Sequence, residues 1–199
     1  MNESDAAALA AAFTADIVSR LVALAPALDT TLFLYYTPDD GARELRGLIG
    51  DVTLRPQGTG DLGHRMRRVA SALRAEGFTR IILVGADSPT LPDACFGAAF
   101  DALDGGAQVA IARASDGGYV LLAVDEPHAV LFEEIPWGTE MVYGLSVMLA
   151  RKAGLAVQEM AGWYDVDNAD DLARLRLELN HGASDLAPRT SRLLAELNC

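Results

Sequence analysis

Short apolar runs alternate along this chain with segments that repeat apolar residues every three to four positions, as helices do. Strands that alternate with helices of ten to fifteen residues indicate an α/β fold of three layers, with helices on both faces of a mostly parallel central sheet. The strand-like runs are TLFLYY (31–36), a weaker DVTLRP (51–56), IILVG (81–85), QVAIA (108–112), YVLLAV (119–124) and VQEM (157–160). The helical segments are 4–25, capped by Ser4, then 61–76, 93–103, 139–153, capped by Thr139, one beginning at Asn168, and 187–197.

Size and charge limit the classes of protein that this chain can represent. Its 199 residues are expected to form one domain, since one core can serve chains up to about 250 residues. The formal net charge of −12 argues against a surface for nucleic acid or anionic membranes, because both require clustered Lys and Arg. A small anionic substrate would need arginines at one place, or a divalent metal that bridges it to carboxylates.

The cysteines and the apolar runs bear on the compartment. Cys95 and Cys199 have the spacing of neither a disulfide framework nor a metal site. No apolar run approaches the roughly 18 residues of a membrane span, and the N-terminus lacks the basic region of a signal peptide. A reduced, cytoplasmic protein is therefore expected.

The stretch IILVGADSPTLP (81–92) carries a carboxylate just after an apolar strand. Ligands of a parallel sheet bind beyond the carboxyl ends of the strands, and Asp87 falls there. Gly85 lets the chain turn and Pro89 biases Ser88 towards an extended conformation, which leaves the Asp87 oxygens free. A fixed carboxylate suits Mg²⁺ or Mn²⁺, although Asp87 could instead cap the following turn.

The stretch WYDVDNADDL (163–172) supplies more carboxylates. Asp165 and Asp167 point to the same side of an extended segment, and they repel each other unless a cation or a shared proton lies between them. Asn168 is predicted to cap a helix with Asp170 and Asp171 in its first turn. Both interpretations can hold, because they use different residues.

Two glycine-containing stretches are further candidates. RPQGTGDLGHRM (55–66) feeds a helix and could cradle a phosphate or read a base, but it has neither Walker nor Rossmann spacing, so a flexible loop stays open as the alternative. In SDGGYVLLAV (115–124), Asp116 beside Gly117 and Gly118 is typical of a hairpin turn. The alternative is that a ligand approaches this backbone and Asp116 binds sugar hydroxyls or acts as a base. Trp137, in IPWGTE, could stack on a ligand or pack internally.

Together, five ordered motifs resemble a bacterial family of GT-A-like transferases, the radical-SAM/selenodomain-associated transferase 1 type. This family lies within the nucleotide-diphospho-sugar transferase superfamily, and the resemblance covers most of the chain from about residue 5 onwards. GADSPTLP and DVDNADDL also look like metal-binding segments of GT-A nucleotidyltransferases, including those acting on molybdenum cofactor and 2-phospholactate. The five motifs are QGTGDLGHRM, VGADSPTLP, SDGGYVLLAV, IPWGTEMV and WYDVDNADDL.

The resemblance implies a metal-dependent transfer from a nucleotide-activated donor, with Mg²⁺ or Mn²⁺ as the cofactor. By the same resemblance, the metal ligands would be Asp87, Asp165 and Asp167, and Asp116 would face the transferred group or its acceptor, where its possible role as a base makes it the candidate catalytic residue. The sequence has no GxSxG segment and no Cys/His pairing, so hydrolysis through a covalent intermediate is disfavoured. The residues implied to contact the nucleotide, the transferred group or its acceptor are Gln57, Gly58, Gly60, Asp61, Arg65, Gly117, Gly118, Tyr119 and Trp137.

In one respect the chain departs from that family. Its members usually begin with a strand and a basic, glycine-containing loop that ends in a Lys-Thr-Arg-Leu run and holds phosphates. This sequence starts where their first helix starts, and Lys152 is its only lysine. Because that strand lies inside the sheet, we expect another segment or subunit to fill its place, or the flanking strands to close up, or the reading frame to begin too late.

Three functions stay open at this point. Glycosyl transfer from a nucleotide sugar releases a nucleoside diphosphate, whereas nucleotidyl transfer of the molybdenum-cofactor or 2-phospholactate type releases pyrophosphate. The third is a non-catalytic protein that binds nucleotides or sugars, which the missing strand and the single lysine favour. The expected partner is a small nucleotide or nucleotide sugar rather than nucleic acid, and assembly into a homo-oligomer is left open.

Overall fold

The computed structural model describes residues 2–197 and has the predicted α/β architecture. Cys199 lies outside the described residues, while Cys95 is a free, half-buried thiol. The strands are β1 Phe33–Tyr36, β2 Thr53–Pro56, β3 Ile81–Val84, β4 Val109–Arg113, β5 Tyr119–Val124 and β6 Val157–Met160. The helices are α1 Glu3–Leu24, α2 Ala42–Ile49, α3 Leu62–Ala75, α4 Ala94–Asp104, α5 Val142–Lys152, α6 Ala169–Glu178 and α7 Pro188–Glu196. Sequence reasoning missed only α2 among these elements.

The strands form two separate sheets. One is the parallel pair β1–β2, and the other has four strands in the order β3-β5-β4-β6. In the larger sheet β6 runs parallel to β4, while β5 is antiparallel to both of its neighbours, so three of the four strands share one direction. The β4–β5 pair is a hairpin, as SDGG predicted, because a short turn can join only antiparallel strands.

Alternate residues of the larger sheet face two different cores, which gives the three layers. On one face, Ile111 and Leu122 pack with the apolar sides of α3 and α5. On the other face, Ala112 and Leu121 pack with α4, and small residues there let the helix approach closely. A third cluster joins the start of α1 to α6 and α7. The predicted α/β fold of three layers is confirmed.

The larger sheet does not continue into the smaller one. β1 pairs only with β2 and β3 only with β5, so in the described chain no strand bridges β1 to β3. A cavity of about 500 Å³ lies between them, lined by residues 30–35 on one side and 80–85 on the other. We call this space the strand gap. The flanking strands have therefore not closed up over the place expected for the first strand.

Helix α1 is more apolar than the sequence argument allowed. It is 22 residues long, and by length and composition alone it could cross a membrane. Its face carrying Leu9, Phe13 and Ile17 is nevertheless buried within the protein. The buried Asp16 side chain accepts hydrogen bonds from the backbone N–H of Arg189 at 3.1 Å and of Thr190 at 2.8 Å, which docks α7 onto α1.

Helix caps differ in two places from the predicted ones. Asn2, and not Ser4, caps α1. The Thr139 hydroxyl donates to the Pro136 carbonyl at 2.8 Å and belongs to the turn before α5, because the helix starts three residues later. Asn168 caps α6 as predicted, with its side chain accepting from two backbone N–H groups of the first turn.

Candidate functional site

Two loops meet beyond the carboxyl ends of β3 and β4. The backbone N–H of Val166 donates to the Asp87 carbonyl at 2.9 Å, and the N–H of Trp163 donates to the Arg113 carbonyl at 2.9 Å. These bonds hold the DSPTLP loop beside the WYDVDN segment. The two motifs are far apart in sequence, and the sheet brings them to one edge, as the strand logic predicted.

Three carboxylates converge at this edge. Oxygen atoms of Asp116, Asp165 and Asp167 all lie within 4.8 Å of one another. Asp116 comes from the β4–β5 turn and is exposed like Asp167, whereas Asp165 is half-buried. We call these three side chains the carboxylate cluster.

Three carboxyl groups at this edge, those of Asp165, Asp167 and Asp87, have raised pKa values. Burial, followed by the charges of Asp116, Asp167 and Asp87, raises the pKa of Asp165 from 3.8 to about 6. The pKa of Asp167 is raised by loss of water and by its acidic neighbours, Asp116 first. Part of the surface of Asp87 is open to solvent, but the atoms crowded around its carboxyl group withhold water and raise its pKa as well.

Asp87 lies beside the carboxylate cluster rather than in it. Its pKa responds to the charges of Asp167 and Asp116, so the groups are close, but only Asp116 joins Asp165 and Asp167 within 4.8 Å. Its side chain folds back over Gly85, where an added Cβ would lie only 2.5 Å from Oδ1. Of the implied ligands, the structure thus pairs Asp165 and Asp167 with Asp116.

The chemistry of the cluster fits a hard divalent cation. Mg²⁺ and Mn²⁺ prefer oxygen ligands and take one or two carboxylates together with waters or phosphate oxygens. Three carboxylates that share one space repel one another, as the raised pKa of Asp165 records, and a cation between them would remove that repulsion. Asp116, Asp165 and Asp167 are therefore the residues that would hold such an ion.

The hairpin glycines have different surroundings. Gly117 is buried with φ +97°, and a Cβ there would lie 2.3 Å from the Glu140 carbonyl oxygen. Its own carbonyl accepts from the Tyr143 N–H at 2.9 Å, so Gly117 joins the hairpin to α5. The N–H of Gly118 donates to Asp116 Oδ1 at 2.7 Å and fixes that carboxylate at the cavity wall.

The glycine-rich stretch before α3 forms one corner of the cavity. Gln57 accepts from Arg65 Nη1 at 2.8 Å and donates to the Tyr35 carbonyl at 3.1 Å, which orients the guanidinium group at the cavity. Asp61 caps α3 by accepting from the His64 N–H at 2.9 Å. Positive φ angles at Gly58 and Gly60 shape the turn, which Arg68 braces through two backbone carbonyls.

An aromatic wall closes the cavity near the carboxylate cluster. The Tyr119 and Trp137 rings meet edge to face with centroids 6.2 Å apart, and both line the cavity. The Trp137 indole packs against Gly63, where a Cβ would lie 2.4 Å from Nε1. Trp137 is therefore positioned by packing, while part of it still faces the cavity. The two roles considered for Trp137 from the sequence, internal packing and stacking on a ligand, are thus compatible.

Arg20 is a residue of the site that sequence reasoning missed. From α1 it donates to the Pro89 carbonyl at 2.6 Å and to Asp93 Oδ1 at 2.7 Å, and it also contacts the Leu91 carbonyl. These bonds tie the DSPTLP loop to α1. A lone arginine on the apolar side of a helix was the available signal, but its partners lie about seventy residues away.

Comparison with known proteins adds two likenesses. The model of a family described as uncharacterized protein conserved in bacteria (DUF2064) matches residues 9–139. A crystal structure from Desulfovibrio desulfuricans G20, of a protein described as a "putative nucleotide-diphospho-sugar transferase", is similar at 28% sequence identity with a TM-score of 0.89. The likeness covers 100% of this chain and 85% of that one. No protein with a curated description matches the sequence.

Proposed function

The chain belongs to the bacterial DUF2064 family, and we propose that it is a metal-dependent transferase that takes a sugar from a nucleotide-activated donor. The observation that carries this proposal is the carboxylate cluster of Asp116, Asp165 and Asp167, which opens into a cavity of about 500 Å³. The structural likeness to the protein described as a "putative nucleotide-diphospho-sugar transferase" supports a transferase of the same general kind. The finer assignment to the radical-SAM/selenodomain-associated type rests on the five ordered motifs.

The residues around the cavity have separable roles in this proposal. A Mg²⁺ or Mn²⁺ ion held by the carboxylate cluster would supply positive charge against the donor's diphosphate. Arg65, which Gln57 orients, binds a phosphate oxygen of the donor. The Tyr119 and Trp137 wall offers a flat surface for a base or sugar ring.

Asp87 is suited to proton transfer. Loss of water and the neighbouring carboxylates raise its pKa, so its carboxylate is more basic than an ordinary aspartate. In the proposed reaction it accepts the proton of the acceptor hydroxyl as that oxygen attacks the sugar carbon. This exchanges the roles that the resemblance implied for Asp87 and Asp116. A cytoplasmic location remains part of the proposal.

A second candidate is nucleotide binding without catalysis. It is favoured by the open strand gap and by the small number of basic side chains at the cavity. Among the described residues that line the cavity, only Arg65 and Arg80 are Lys or Arg. Diphosphates are commonly held by several positive or backbone donors.

Calorimetry tests the proposal. Mn²⁺ is titrated into the protein, followed by nucleoside diphosphates and nucleotide sugars in the presence of Mn²⁺. We expect Asp167→Asn to weaken Mn²⁺ binding by at least about tenfold, since even groups that only orient metal ligands commonly matter that much. The matched control is Asp170→Asn, three residues further along, whose carboxylate lies outside the cluster.

Product analysis then separates the candidates. Release of a nucleoside diphosphate supports glycosyl transfer, and release of pyrophosphate would replace it by nucleotidyl transfer. Binding without turnover would leave the non-catalytic candidate. A folded protein that binds neither Mn²⁺ nor any of these nucleotides contradicts the proposal.

A further inference from the structure

Glu178, the last residue of α6, contacts both of the loops that meet beside the carboxylate cluster. One of its oxygens accepts from the Tyr164 hydroxyl, in the WYDVDN segment, and at 3.1 Å from the Thr90 hydroxyl, in the DSPTLP loop. Tyr164 is 1% exposed and Thr90 is 0% exposed, so water does not compete for either donor. We call these three side chains the loop joint.

The protons of the loop joint can be assigned from its distances. The Thr90 oxygen lies 3.1 Å from Glu178 Oε2 and 3.4 Å from the Tyr164 oxygen, so its single proton goes to Glu178. The same oxygen accepts from the Trp163 indole N–H at 3.4 Å. Glu178 therefore accepts from both hydroxyls, and a hydrogen bond to an ionised carboxylate is stronger than one to a neutral acceptor.

Helix α6 holds the carboxylate-bearing segment at both of its ends. Tyr164, which Glu178 fixes, directly precedes Asp165. Asn168 directly follows Asp167 and caps the start of α6 through two backbone N–H groups of the first turn. The two aspartates of the carboxylate cluster that come from this segment thus lie between two points attached to one rigid helix.

The loop joint also fixes one loop relative to the other. The backbone N–H of Val166 donates to the Asp87 carbonyl at 2.9 Å, which is one connection between the loops. Thr90 lies three residues after Asp87, and its bond to Glu178 supplies a second connection. A single bond would let the loops turn about it, whereas two separated connections fix their relative position. Side chains that act in this way are what keeps a site in its productive geometry.

We propose that Glu178 is a positioning residue of the candidate site. Through Tyr164 it sets the place of Asp165, and through Thr90 it sets the distance between Asp87 and the carboxylate cluster. The inference rests on the proposed function, in which the cluster holds a divalent cation, but Glu178 itself touches neither the cation nor the donor. A purely structural Glu178 would change the stability of the fold and leave the cation affinity unaltered.

Hydrogen exchange in the metal-free protein tests the loop joint without any cation or nucleotide. The reporter is the Val166 amide, whose bond to Asp87 connects the two loops. We expect Glu178→Ala to speed exchange at this amide roughly tenfold or more, because it removes the acceptor of two buried hydroxyls. Glu178→Gln keeps a carbonyl oxygen of the same reach and should restore most of the protection.

Calorimetry with Mn²⁺ tests the connection to the cation. Glu178→Ala and Tyr164→Phe should each weaken Mn²⁺ binding roughly tenfold, as is common for groups that orient metal ligands. The double variant should bind Mn²⁺ about as well as Glu178→Ala alone, since both changes break the same hydrogen bond. Independent roles would instead make the two losses multiply.

Val109→Ala is the control for lost stability. Val109 is buried at the start of β4, at the end of the strand away from the site, and truncating it destabilises the core without touching the loop joint. In this variant the Mn²⁺ affinity and the exchange rate of the Val166 amide should stay within about twofold of the wild type, as for changes at distant sites.

Each result decides the inference. If Glu178→Ala does not fold, Tyr164→Phe and Thr90→Val, which each remove one hydroxyl, take its place in both measurements. The inference is overturned if the folded variants keep the wild-type exchange rate at Val166, if they bind Mn²⁺ as tightly as the wild type, or if Val109→Ala weakens binding equally. A wild type that binds no Mn²⁺ contradicts the proposed function, and exchange at Val166 alone then decides whether Glu178 positions the loops.

Discussion

At the level of single residues, the carboxylate cluster sets function against stability. The pKa of Asp165 is raised from 3.8 to about 6 in the folded protein, chiefly by burial, so its ionised form destabilises the fold at pH 7. We expect Asp165→Asn to stabilise the metal-free protein at pH 7, by roughly 1 kcal/mol once solvent screening of this half-buried group is allowed for. The stabilisation by Asp165→Asn should shrink as the pH falls from about 6. It should vanish below 3.8, where Asp165 is protonated in both the folded and the unfolded protein. Thermal unfolding with a chelator over this pH range measures it.

The same variant should behave oppositely when a divalent cation is present. Mn²⁺ should raise the melting temperature of the wild type, because it binds only the folded state, and should do so much less for Asp165→Asn. Asp170→Asn is the control, since its carboxylate lies in the first turn of α6 and outside the cluster. A loss of stability in metal-free Asp165→Asn would show that the carboxylate is held by partners rather than strained by repulsion.

The sequence could identify the site's acidic residues but not their grouping. Asp87 and Asp116 were recognised from turn-forming residues beside apolar strands, and Asp165 and Asp167 from their placement on one side of an extended segment. Which three would converge depends on how far each loop reaches, and that is set by contacts such as the bond from Val166 to Asp87. Arg20 escaped notice for the same reason, since its role exists only through partners distant in sequence.

Among the structural elements, Gly117 of the β4–β5 hairpin and Gly106 of the loop between α4 and β4 form a matched pair of glycines. Gly117 and Gly106 have φ angles of +97° and +96°, but a Cβ at Gly106 meets open space while one at Gly117 would overlap the Glu140 backbone. Gly106→Ala should therefore cost about 1–2 kcal/mol for its backbone conformation alone. Gly117→Ala should cost a further ~2 kcal/mol, because the hairpin must move away from α5. Chemical denaturation of both variants measures the difference, and equal costs would mean that the hairpin yields freely.

Elements were predictable where pattern and propensity agree. The apolar strands and the helices with a clear stripe were found to within a few residues, because burial on a defined face imposes their period. Helix α2, ARELRGLI, was missed because it is short, contains a glycine and has no fully buried residue. The start of α5 was misplaced because Thr139 has the chemistry of a cap but uses its hydroxyl in the preceding turn.

At the scale of the whole molecule, the division into two sheets depended on the resemblance rather than on the residues. The apolar pattern of a strand is the same whether or not a neighbouring strand is present, so periodicity alone cannot reveal an unpaired edge between β1 and β3. Comparison with the usual order of elements located the strand gap, but it could not tell whether the flanking strands would close over it. They stay apart in the structure, and side chains from α1, α3 and α4 line the space between them.

The two sheets should also differ in stability. β1 and β2 are only partly buried and form a lone pair of strands, which is marginal without further support. β4 and β5 are almost wholly buried between two layers of helices. We expect the amides of Leu34 and Tyr36, which face β2, to exchange hydrogen roughly a hundredfold faster or more than those of Leu121–Val124 in the native state. This ratio means that the free energy of opening is ~3 kcal/mol lower for β1 than for β5. β3 is the internal comparison, since it borders the gap but belongs to the larger sheet, and it should exchange at an intermediate rate. Equal protection in β1 and β5 would mean that the helices couple the two sheets into one cooperative unit despite the gap.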